Sequence, residues 1–342
     1  MRIGILTGGG DAPGLNGIIE AVSKSLLNFG HEVIGICDGF EGVFEGRFKE
    51  IDAQVVNGIH AHAGTFLGTS NRCGTEGREE EFLAKYRELA LDGLVVAGGD
   101  GTFAGLHVFK DQIRLMGVPK TIDNDLAGTD ITFGYDTACS VVAEAVDALR
   151  ATADAHRRII VIEAMGRTAG WIALGGGMAS YADVILIPER PFDRHALLNF
   201  VNSRHESGQR GLICVVSEGA AAKGEHPTVA FKVEGAPQEE RLGGIAQSIA
   251  KWLEIETGWE GRHVVLGHLQ RSKSPTTTDR FLTLAMGVKV AQLVHQGKWG
   301  NAAVYRDGLV QAAPLTDFMQ PPRLIDSDHR WVQMAQAVGI FI

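Results

Sequence analysis

Three segments rich in glycine and aspartate carry most of the chemistry that this sequence could perform. They are GGGDAPGLN at residues 8–16, GGDGT at 98–102 and PKTIDNDLAGTD at 119–130. A glycine turn after a strand leaves backbone N–H groups open to phosphate oxygens. Aspartates beside such a turn suit Mg²⁺, a cation that prefers carboxylate oxygens and water. A phosphate-binding turn, a metal carboxylate and a further aspartate together predict phosphoryl transfer.

Short apolar runs alternate with amphipathic stretches and supply the elements that must position these segments. Strands are predicted at residues 2–7, 33–37, 93–97, 158–163, 183–187, 211–216 and 263–266. Helices are predicted at residues 14–29, 79–91, 136–153, 168–179, 194–205, 243–257 and 277–296. Continuous apolar strands separated by helices indicate an α/β fold with mostly parallel sheets covered by helices. Ligands of such sheets bind beyond the carboxyl ends of the strands, where the glycine and aspartate segments fall.

Three local expectations concern the segments between these elements. Asp136 is predicted to be the N-cap of helix 136–153, because its carboxylate could accept from free N–H groups of the first turn. The alternation of Asp123, Asn124 and Asp125 would point both acids the same way if that loop is extended. The polar stretch 219–240 is expected to be a surface excursion.

Length and composition narrow the class of protein. A chain of 342 residues suggests two lobes. A net charge of −9 and a pI of about 5.7 argue against a nucleic-acid or membrane-surface binder, which usually carries a basic face. The four cysteines are far apart and are expected to be free thiols. Without a signal-peptide pattern or an apolar stretch of about 18 residues, a cytoplasmic protein is expected.

The order and spacing of the motifs resemble those of the phosphofructokinase family over nearly the whole chain. The motifs are GGDAPGLN, LGTS, GGDGT, TIDND, MGR at 165–167, PE at 188–189, SEG at 217–219 and LGHLQR at 266–271. GGDGT alone would also fit lipid and NAD kinases, but those kinases do not explain TIDND, MGR and LGHLQR. The resemblance implies two Rossmann-like lobes. Residues 1–134 plus 270–317 would bind nucleotide and Mg²⁺, and residues 135–269 plus 318–342 the sugar phosphate.

The resemblance also implies roles in nucleotide binding and catalysis. The implied nucleotide-binding residues are Gly10, Arg72, Asp100, Gly101, Thr102, Gly105 and Lys120, with Asp100 and Asp125 as ligands of Mg²⁺. Asp123 would be the general base that takes the proton from the sugar 1-hydroxyl. Thr121 would hydrogen-bond the transferring phosphoryl group, and Arg167 would stabilise charge in the transition state.

A further set of residues is implied for the sugar phosphate. These residues are Thr121, Asp123, Arg158, Met165, Gly166, Arg167, Glu218, Arg262, His268 and Arg271. Arg262, His268 and Arg271 would hold the 6-phosphate, since guanidinium groups match phosphate oxygens bidentately. Glu218 would accept from a sugar hydroxyl. Arg158 resembles an arginine that reaches a neighbour's substrate, which implies a homodimer or homotetramer, although an arginine that begins a strand is more often part of a structural ion pair.

The implied activity is ATP-dependent phosphorylation of fructose 6-phosphate at its 1-hydroxyl. Gly101 leaves space that a second aspartate fills in pyrophosphate-dependent members of the family, whereas Lys120 is the residue those members carry. Glycine at 101 removes the clash between an aspartate and the α-phosphate of ATP, and this should outweigh the retention of Lys120. ATP is therefore the favoured donor and pyrophosphate the alternative. A catalytically silent sugar-phosphate sensor is a distant alternative, because Asp100, Asp123, Asp125 and Arg167 are all present.

Several positions depart from the family pattern. Glu20 and Lys24 occupy the places of two first-helix arginines that bind an effector's phosphates in bacterial ATP-dependent members, so such binding is not expected here. Arg72 lies one place later than the usual nucleotide-contacting arginine. Ser272 and Lys273 replace two glycines beside the sugar-phosphate pocket, which leaves another ketose phosphate as an open alternative.

Overall fold

The structure is a computed structural model that describes residues 1–70, 74–233 and 239–342. Contacts within the chain divide it into two compact units. Unit 1 comprises Met1–Ile122, Leu126–Thr137 and Arg271–Pro322, and unit 2 comprises Asp123–Asp125, Ala138–Gln270 and Arg323–Ile342. Over the described ranges, no helix combines the length and apolar character needed to cross a membrane.

Strands and helices alternate along most of the described chain. The strands are β1 (Arg2–Thr7), β2 (Glu32–Ile36), β3 (Phe48–Ile51), β4 (Gly93–Gly98), β5 (Leu115–Pro119), β6 (Ile159–Ala164), β7 (Val184–Leu186), β8 (Leu212–Ser217), β9 (Val229–Lys232), β10 (Glu240–Leu242), β11 (Gly261–Val265), β12 (Asn301–Arg306) and β13 (Leu309–Pro314). The α-helices are α1 (Leu15–Asn28), α2 (Phe40–Glu45), α3 (Glu79–Glu88), α4 (Asp100–His107), α5 (Tyr135–His156), α6 (Trp171–Ala179), α7 (Arg194–Glu206), α8 (Ile245–Thr257), α9 (Leu269–Ser272), α10 (Thr277–His295) and α11 (Arg330–Ala337). Two 3₁₀ helices span Ile59–Ala61 and Leu315–Met319.

Unit 1 is built on a seven-stranded sheet of order β13-β12-β5-β4-β1-β2-β3. The five strands from β12 to β2 are parallel to their neighbours, and β3 and β13 add antiparallel edges. β4 is buried along its whole length and β1 along all but its first residue, as expected for strands covered on both faces. The predicted α/β class with mostly parallel sheets is confirmed.

Unit 2 contains a four-stranded parallel sheet of order β11-β6-β8-β7. Its core includes residues of β6, β7, β8, α7 and α8. The stretch 219–240, expected to be a surface excursion, contains the exposed strand β9, which pairs antiparallel with β10. Residues 234–238 of that stretch lie outside the described residues.

The start of α5 differs from the prediction. Asp136 lies inside the first turn of α5, so its assignment as N-cap is wrong. The cap is supplied by Asp279 of α10, whose Oδ1 accepts from Gly134 N and whose Oδ2 accepts from Thr137 N, both at 2.8 Å. Asp279 is fully buried, and burial raises its pKa to about 6 although the hydrogen bonds from Thr137 and Gly134 oppose this change. A partner 142 residues away along the chain thus replaces the local cap.

Candidate active site

The glycine turns of unit 1 lie at the carboxyl ends of two adjacent parallel strands. β1 leads into Gly8 and Gly9, and β4 leads through Gly99 into α4. β2 lies on one side of β1 and β4 on the other, so the strand order reverses at this point. Open α/β sheets bind their ligands at such a reversal.

The side chain of Thr102 fills the space beside two of the glycines in these turns, Gly8 and Gly98. Thr102 is only 7% exposed. A Cβ on Gly8 would lie 2.8 Å from Thr102 Cγ2, and a Cβ on Gly98 would lie 2.5 Å from Thr102 Cβ. Any larger residue at 8 or 98 would therefore displace Thr102. Because this side chain is packed, the group that Thr102 offers a phosphate is its N–H in the first turn of α4.

Gly101 and Gly105 have different surroundings, although both lie in α4. Among the described residues, no heavy atom outside its own helix turn and chain neighbours lies within 4 Å of a Cβ built on Gly101, so this position faces open space. The carbonyl of Gly105 accepts a hydrogen bond from Thr75 Oγ1 at 2.6 Å, which ties α4 to the segment before α3. Arg72, the predicted nucleotide contact in the preceding segment, lies outside the described residues.

Asp100 begins α4 and is the acid that unit 1 offers to a metal ion. Its Oδ1 accepts from Gly101 N at 2.7 Å, and the side chain is exposed. Among the described residues, no group of three or more His, Cys, Asp or Glu side chains forms a metal site. Mg²⁺ bound with phosphates needs only one or two protein carboxylates, because phosphate oxygens and water complete its coordination. An exposed carboxylate beside a phosphate-binding turn fits this mode of binding.

Two cations contact the turn that contains Gly10. Lys120 Nζ donates to the Gly10 carbonyl at 2.6 Å, and the Arg271 guanidinium donates to the Asp11 carbonyl. A Cβ on Gly10 would lie 3.2 Å from Arg271 Nη1, so a side chain there would crowd the guanidinium. The structure thus places Arg271, which the sequence assigned to the sugar 6-phosphate, beside the first glycine turn of unit 1.

The segment that follows β5 passes from one unit to the other. Thr121 belongs to unit 1, whereas Asp123 and Asp125 belong to unit 2. Asn124 has a φ of 54°, in the left-handed region that asparagine tolerates better than most residues. The loop is therefore not extended at Asn124, so the condition under which alternation would point both acids the same way is not met.

Arg323 holds this loop, although no motif in the sequence points to this role. Its Nη2 donates to the Asn124 carbonyl at 2.7 Å, and its backbone N–H donates to the Asp125 carbonyl at 2.6 Å. Its guanidinium also stacks over the Trp171 ring at 4.5 Å. These contacts fix the backbone at the residue with positive φ and at the residue that follows it.

The parallel strands of unit 2 end at one edge and place several predicted residues there. Met165, Gly166 and Arg167 follow β6, Glu218 follows β8, and His268 lies three residues after β11. Gly166 has a φ of 130°, and a Cβ there would lie 2.6 Å from the Ala169 carbonyl oxygen. His268 is exposed and forms no hydrogen bond with a described residue. This edge therefore holds five of the residues that were assigned to the sugar phosphate.

Glu218 is the most perturbed acid at this edge. Burial and, to a smaller extent, the negative charge of Asp123 together raise its pKa to about 7. A hydrogen bond from the Gly166 backbone and the charge of Arg167 act in the opposite direction. A carboxyl group whose pKa lies near neutral pH can act as either a proton donor or a proton acceptor in such a site.

Two other acidic residues at this edge have structural roles, since their carboxylates accept hydrogen bonds from the backbone. Glu163 is the penultimate residue of β6, and its carboxylate accepts from Gly244 N and Ala246 N at the start of α8. Glu189 of the PE motif accepts from Gly170 N and Ile325 N, each at 3.1 Å, and burial raises its pKa. The PE motif therefore caps α6 and ties it to the C-terminal segment.

Arg158 and Arg262 lie at the opposite edge of the same sheet. Arg158 precedes β6, and Arg262 is the second residue of β11. Both guanidinium groups form ion pairs with the Glu260 carboxylate. β6 has six residues and is about 20 Å long, so these arginines lie about that far from Met165. Within one chain they do not join Glu218 and His268.

Glu20 lies on α1 at a position where bacterial relatives carry an effector-binding arginine, and its carboxylate already accepts several hydrogen bonds. Its carboxylate is 7% exposed and accepts from Lys24 Nζ at 2.6 Å, from His60 Nδ1 at 2.7 Å and from Gly58 N at 3.1 Å. Burial acts to raise the pKa of Glu20, but these hydrogen bonds outweigh it and lower the pKa to about 2. The chain's own carboxylate thus takes the donors that a phosphate would need.

Comparison with known proteins gives a consistent result. A family model described as Phosphofructokinase matches residues 2–294. ATP-dependent 6-phosphofructokinase 2 of Clostridium perfringens is 39% identical, over 99% of this chain and 97% of its own length. ATP-dependent 6-phosphofructokinase 3 of Streptomyces coelicolor is 41% identical, over 94% and 95%. The solved phosphofructokinase of Saccharomyces cerevisiae has a TM-score of 0.83 and 28% identity, over 93% of this chain and 45% of the yeast chain.

Proposed function

This chain belongs to the phosphofructokinase family, and from that premise we propose that it is an ATP-dependent 6-phosphofructokinase of glycolysis in the cytoplasm. The reaction transfers the γ-phosphoryl group of ATP to the 1-hydroxyl of D-fructose 6-phosphate. The observation that carries the proposal is the pair of carboxyl groups in unit 2, in which Asp123 raises the pKa of the buried Glu218. An aspartate beside a glutamate whose pKa is raised towards neutral pH suits removal of a hydroxyl proton.

In the proposed mechanism Asp123 accepts the proton of the 1-hydroxyl as that oxygen attacks the γ-phosphorus. The bond from the γ-phosphorus to the bridging oxygen breaks, and ADP leaves with the electron pair. Thr121 and Arg167 hydrogen-bond or neutralise the phosphoryl oxygens as charge builds on them. Glu218, with a pKa of about 7, is partly protonated at neutral pH and can donate to a sugar hydroxyl as well as accept from it.

The assignment of ATP as the phosphoryl donor rests on the glycine turns that follow β1 and β4. Gly101 faces open space, which leaves room for a nucleotide phosphate. Gly10, Thr102, Gly105 and Arg72 are proposed as further nucleotide contacts, and Lys120 neutralises charge at the Gly10 turn. Mg²⁺, when bound to the donor phosphates at Asp100 and Asp125, would supply charge neutralisation. Pyrophosphate is the alternative donor because Lys120 can serve either phosphate.

For the sugar phosphate, Met165, Gly166 and His268 are proposed as contacts at the carboxyl edge of the unit 2 sheet, with Arg271 at the 6-phosphate. Arg158 and Arg262 lie together at the other edge. This separation supports the proposal that both serve the sugar phosphate of a neighbouring copy in a homodimer or homotetramer. The Arg158→Ala and Asp123→Ser variants should each be inactive alone and regain activity when denatured together and refolded, because mixed oligomers contain a complete site. Absence of such recovery would contradict the shared site.

The test of the activity is formation of fructose 1,6-bisphosphate from fructose 6-phosphate and Mg²⁺, run in parallel with ATP and with pyrophosphate. Turnover with ATP alone is expected. Turnover with pyrophosphate would make Lys120 the deciding residue and overturn the assignment of ATP. No turnover with either donor would overturn the assignment as a 6-phosphofructokinase. It would favour another ketose phosphate as the substrate, or a sugar-phosphate sensor without catalytic activity.

A further inference from the structure

Unit 1 contains a cavity of 360 Å³ that none of the roles above uses. It lies against the C-terminal half of α4 and the first residues of β5. The phosphate-binding turns lie at the other ends of these two elements. α4 has eight residues and is about 12 Å long, so the cavity is separate from the glycine turns.

Two strand glycines make the walls of this cavity possible. A Cβ on Gly93 would overlap the six-membered ring of Trp299. A Cβ on Gly117 would lie 2.5 Å from Leu315 Cδ2 and 2.8 Å from Phe103 Cε1. Glycine inside a strand weakens the strand and often marks a close approach of another group. Here both glycines admit side chains that line or support the cavity.

The rim of the cavity is held by backbone hydrogen bonds. Gly300 N donates to the Leu115 carbonyl at 2.8 Å, and Leu315 N donates to the Gly300 carbonyl at 3.0 Å. These bonds fasten the turn after Trp299 and the start of the 3₁₀ helix Leu315–Met319 to the sheet. Cavities of a few hundred Å³ with an apolar lining and a few polar groups are typical small-molecule sites.

The polar groups at the mouth of the cavity are mostly cationic. Lys110 and Arg114 are exposed, and neither side chain forms a hydrogen bond or ion pair with a described residue. Asp111 brings one negative charge. The mouth therefore carries a net positive charge on a chain whose net charge is −9. Unpaired cations above an apolar floor are complementary to an anion that has a flat apolar body.

We propose that this cavity binds a small organic anion with a flat, ring-shaped apolar body and a single acidic group. The ring lies against Trp299, Leu315 and Phe103, which form the apolar floor. The acidic group meets Lys110 and Arg114 at the mouth. The site is distinct from the sites for nucleotide and sugar phosphate, because it lies at the opposite ends of α4 and β5 from the glycine turns.

The test uses two fluorescent probes that share one ring system, on the full chain. The anionic probe is 8-anilinonaphthalene-1-sulfonate, and the neutral probe is N-phenyl-1-naphthylamine. The Lys110→Ala/Arg114→Ala variant should raise the Kd of the sulfonate by about tenfold or more, equivalent to about 1.4 kcal/mol, and that of the neutral probe by no more than about twofold. The matched control is Lys85→Ala/Arg87→Ala on α3, which removes the same charges away from the cavity and should leave both values unchanged.

Energy transfer gives an independent readout of position. Trp299 is the only tryptophan of unit 1, because Trp171, Trp252, Trp259 and Trp331 belong to unit 2. The Trp299→Phe variant should lose most of the energy transfer from tryptophan to the bound sulfonate while the probe still binds.

Three results would overturn the proposal. The first is an equal loss of affinity for both probes in the Lys110/Arg114 variant. The second is an equal loss in the α3 control. The third is complete displacement of the sulfonate by MgATP with full energy transfer in Trp299→Phe, which would place the probe in the nucleotide site. None of these readouts depends on catalysis, so failure here and failure of the kinase assignment are separable.

Discussion

Replacement of Glu218 by glutamine removes a carboxyl group whose ionisation the fold opposes. Burial and the charge of Asp123 raise the pKa of Glu218 to about 7, from an ordinary value of 4.5. At 1.36 kcal/mol for each pKa unit, this difference corresponds to about 3 kcal/mol. Between pH 4.5 and 7 the folded chain keeps a proton that the unfolded chain has lost, so this group's contribution to stability falls as the pH rises. Below pH 4.5 the penalty is absent, and above pH 7 it is complete.

The Glu218→Gln variant should escape this penalty, because an amide of the same shape does not ionise. Its free energy of unfolding should exceed that of the unmodified chain by up to about 3 kcal/mol at pH 8, and the difference should shrink towards zero near pH 4.5. Urea unfolding at pH 5 and pH 8 measures this difference. In a Trp299→Phe background, the remaining tryptophans lie in unit 2, so their fluorescence reports the unit that contains Glu218.

Glu225 provides a control of the opposite sign. Hydrogen bonds from Arg194 lower the pKa of Glu225, so its contribution to stability is present at high pH and is lost as the pH falls. The Glu225→Gln variant should therefore lose stability at pH 8 and lose less at low pH. A Glu218→Gln effect that is the same at pH 5 and pH 8, or that destabilises unit 2 at pH 8, would refute the reasoning about burial and Asp123.

Three further variants test other parts of the site. Asp123→Ser should lower turnover at least about 10²-fold with fructose 6-phosphate binding by calorimetry nearly unchanged, and weakened binding with normal turnover would contradict its role as base. Gly101→Asp should fold normally, because no described residue crowds position 101, and it should raise the KM for ATP. Undiminished ATP activity would contradict the proposed clash between an aspartate at 101 and ATP. Asp279→Ala should cost about 1–3 kcal/mol in urea unfolding, because Gly134 and Thr137 lose their acceptor; no measurable loss would contradict the capping role.

The sequence was sufficient wherever the information is local or is carried by whole motifs. Apolar runs such as 93–97 and 211–216 predicted β4 and β8, because buried parallel strands need continuous apolar residues. The alternation of such runs with helices predicted the α/β class. The ordered motifs identified the family, since the same residue types at the same spacing meet the same chemical demands.

Only the tertiary structure decided which groups meet. Asp279 caps α5 from another helix, Glu189 caps α6, and Arg323 holds the loop around Asn124, and none of these pairs is close in sequence. Short elements such as β3 and α2 were missed, since few residues show no clear period.

The charge state of the site also needed the fold. A glutamate's pKa depends on what surrounds it in space, and Glu218 is perturbed by burial and by an aspartate 95 positions away along the chain. Long-range packing also decided an ion pair, because parallel pairing of β6 and β11 brings Arg158 to the carboxylate of Glu260, which Arg262 contacts as well. Residue types and their spacing determine which functional groups the chain carries. Long-range packing determines which of these groups share a site and how their pKa values are shifted.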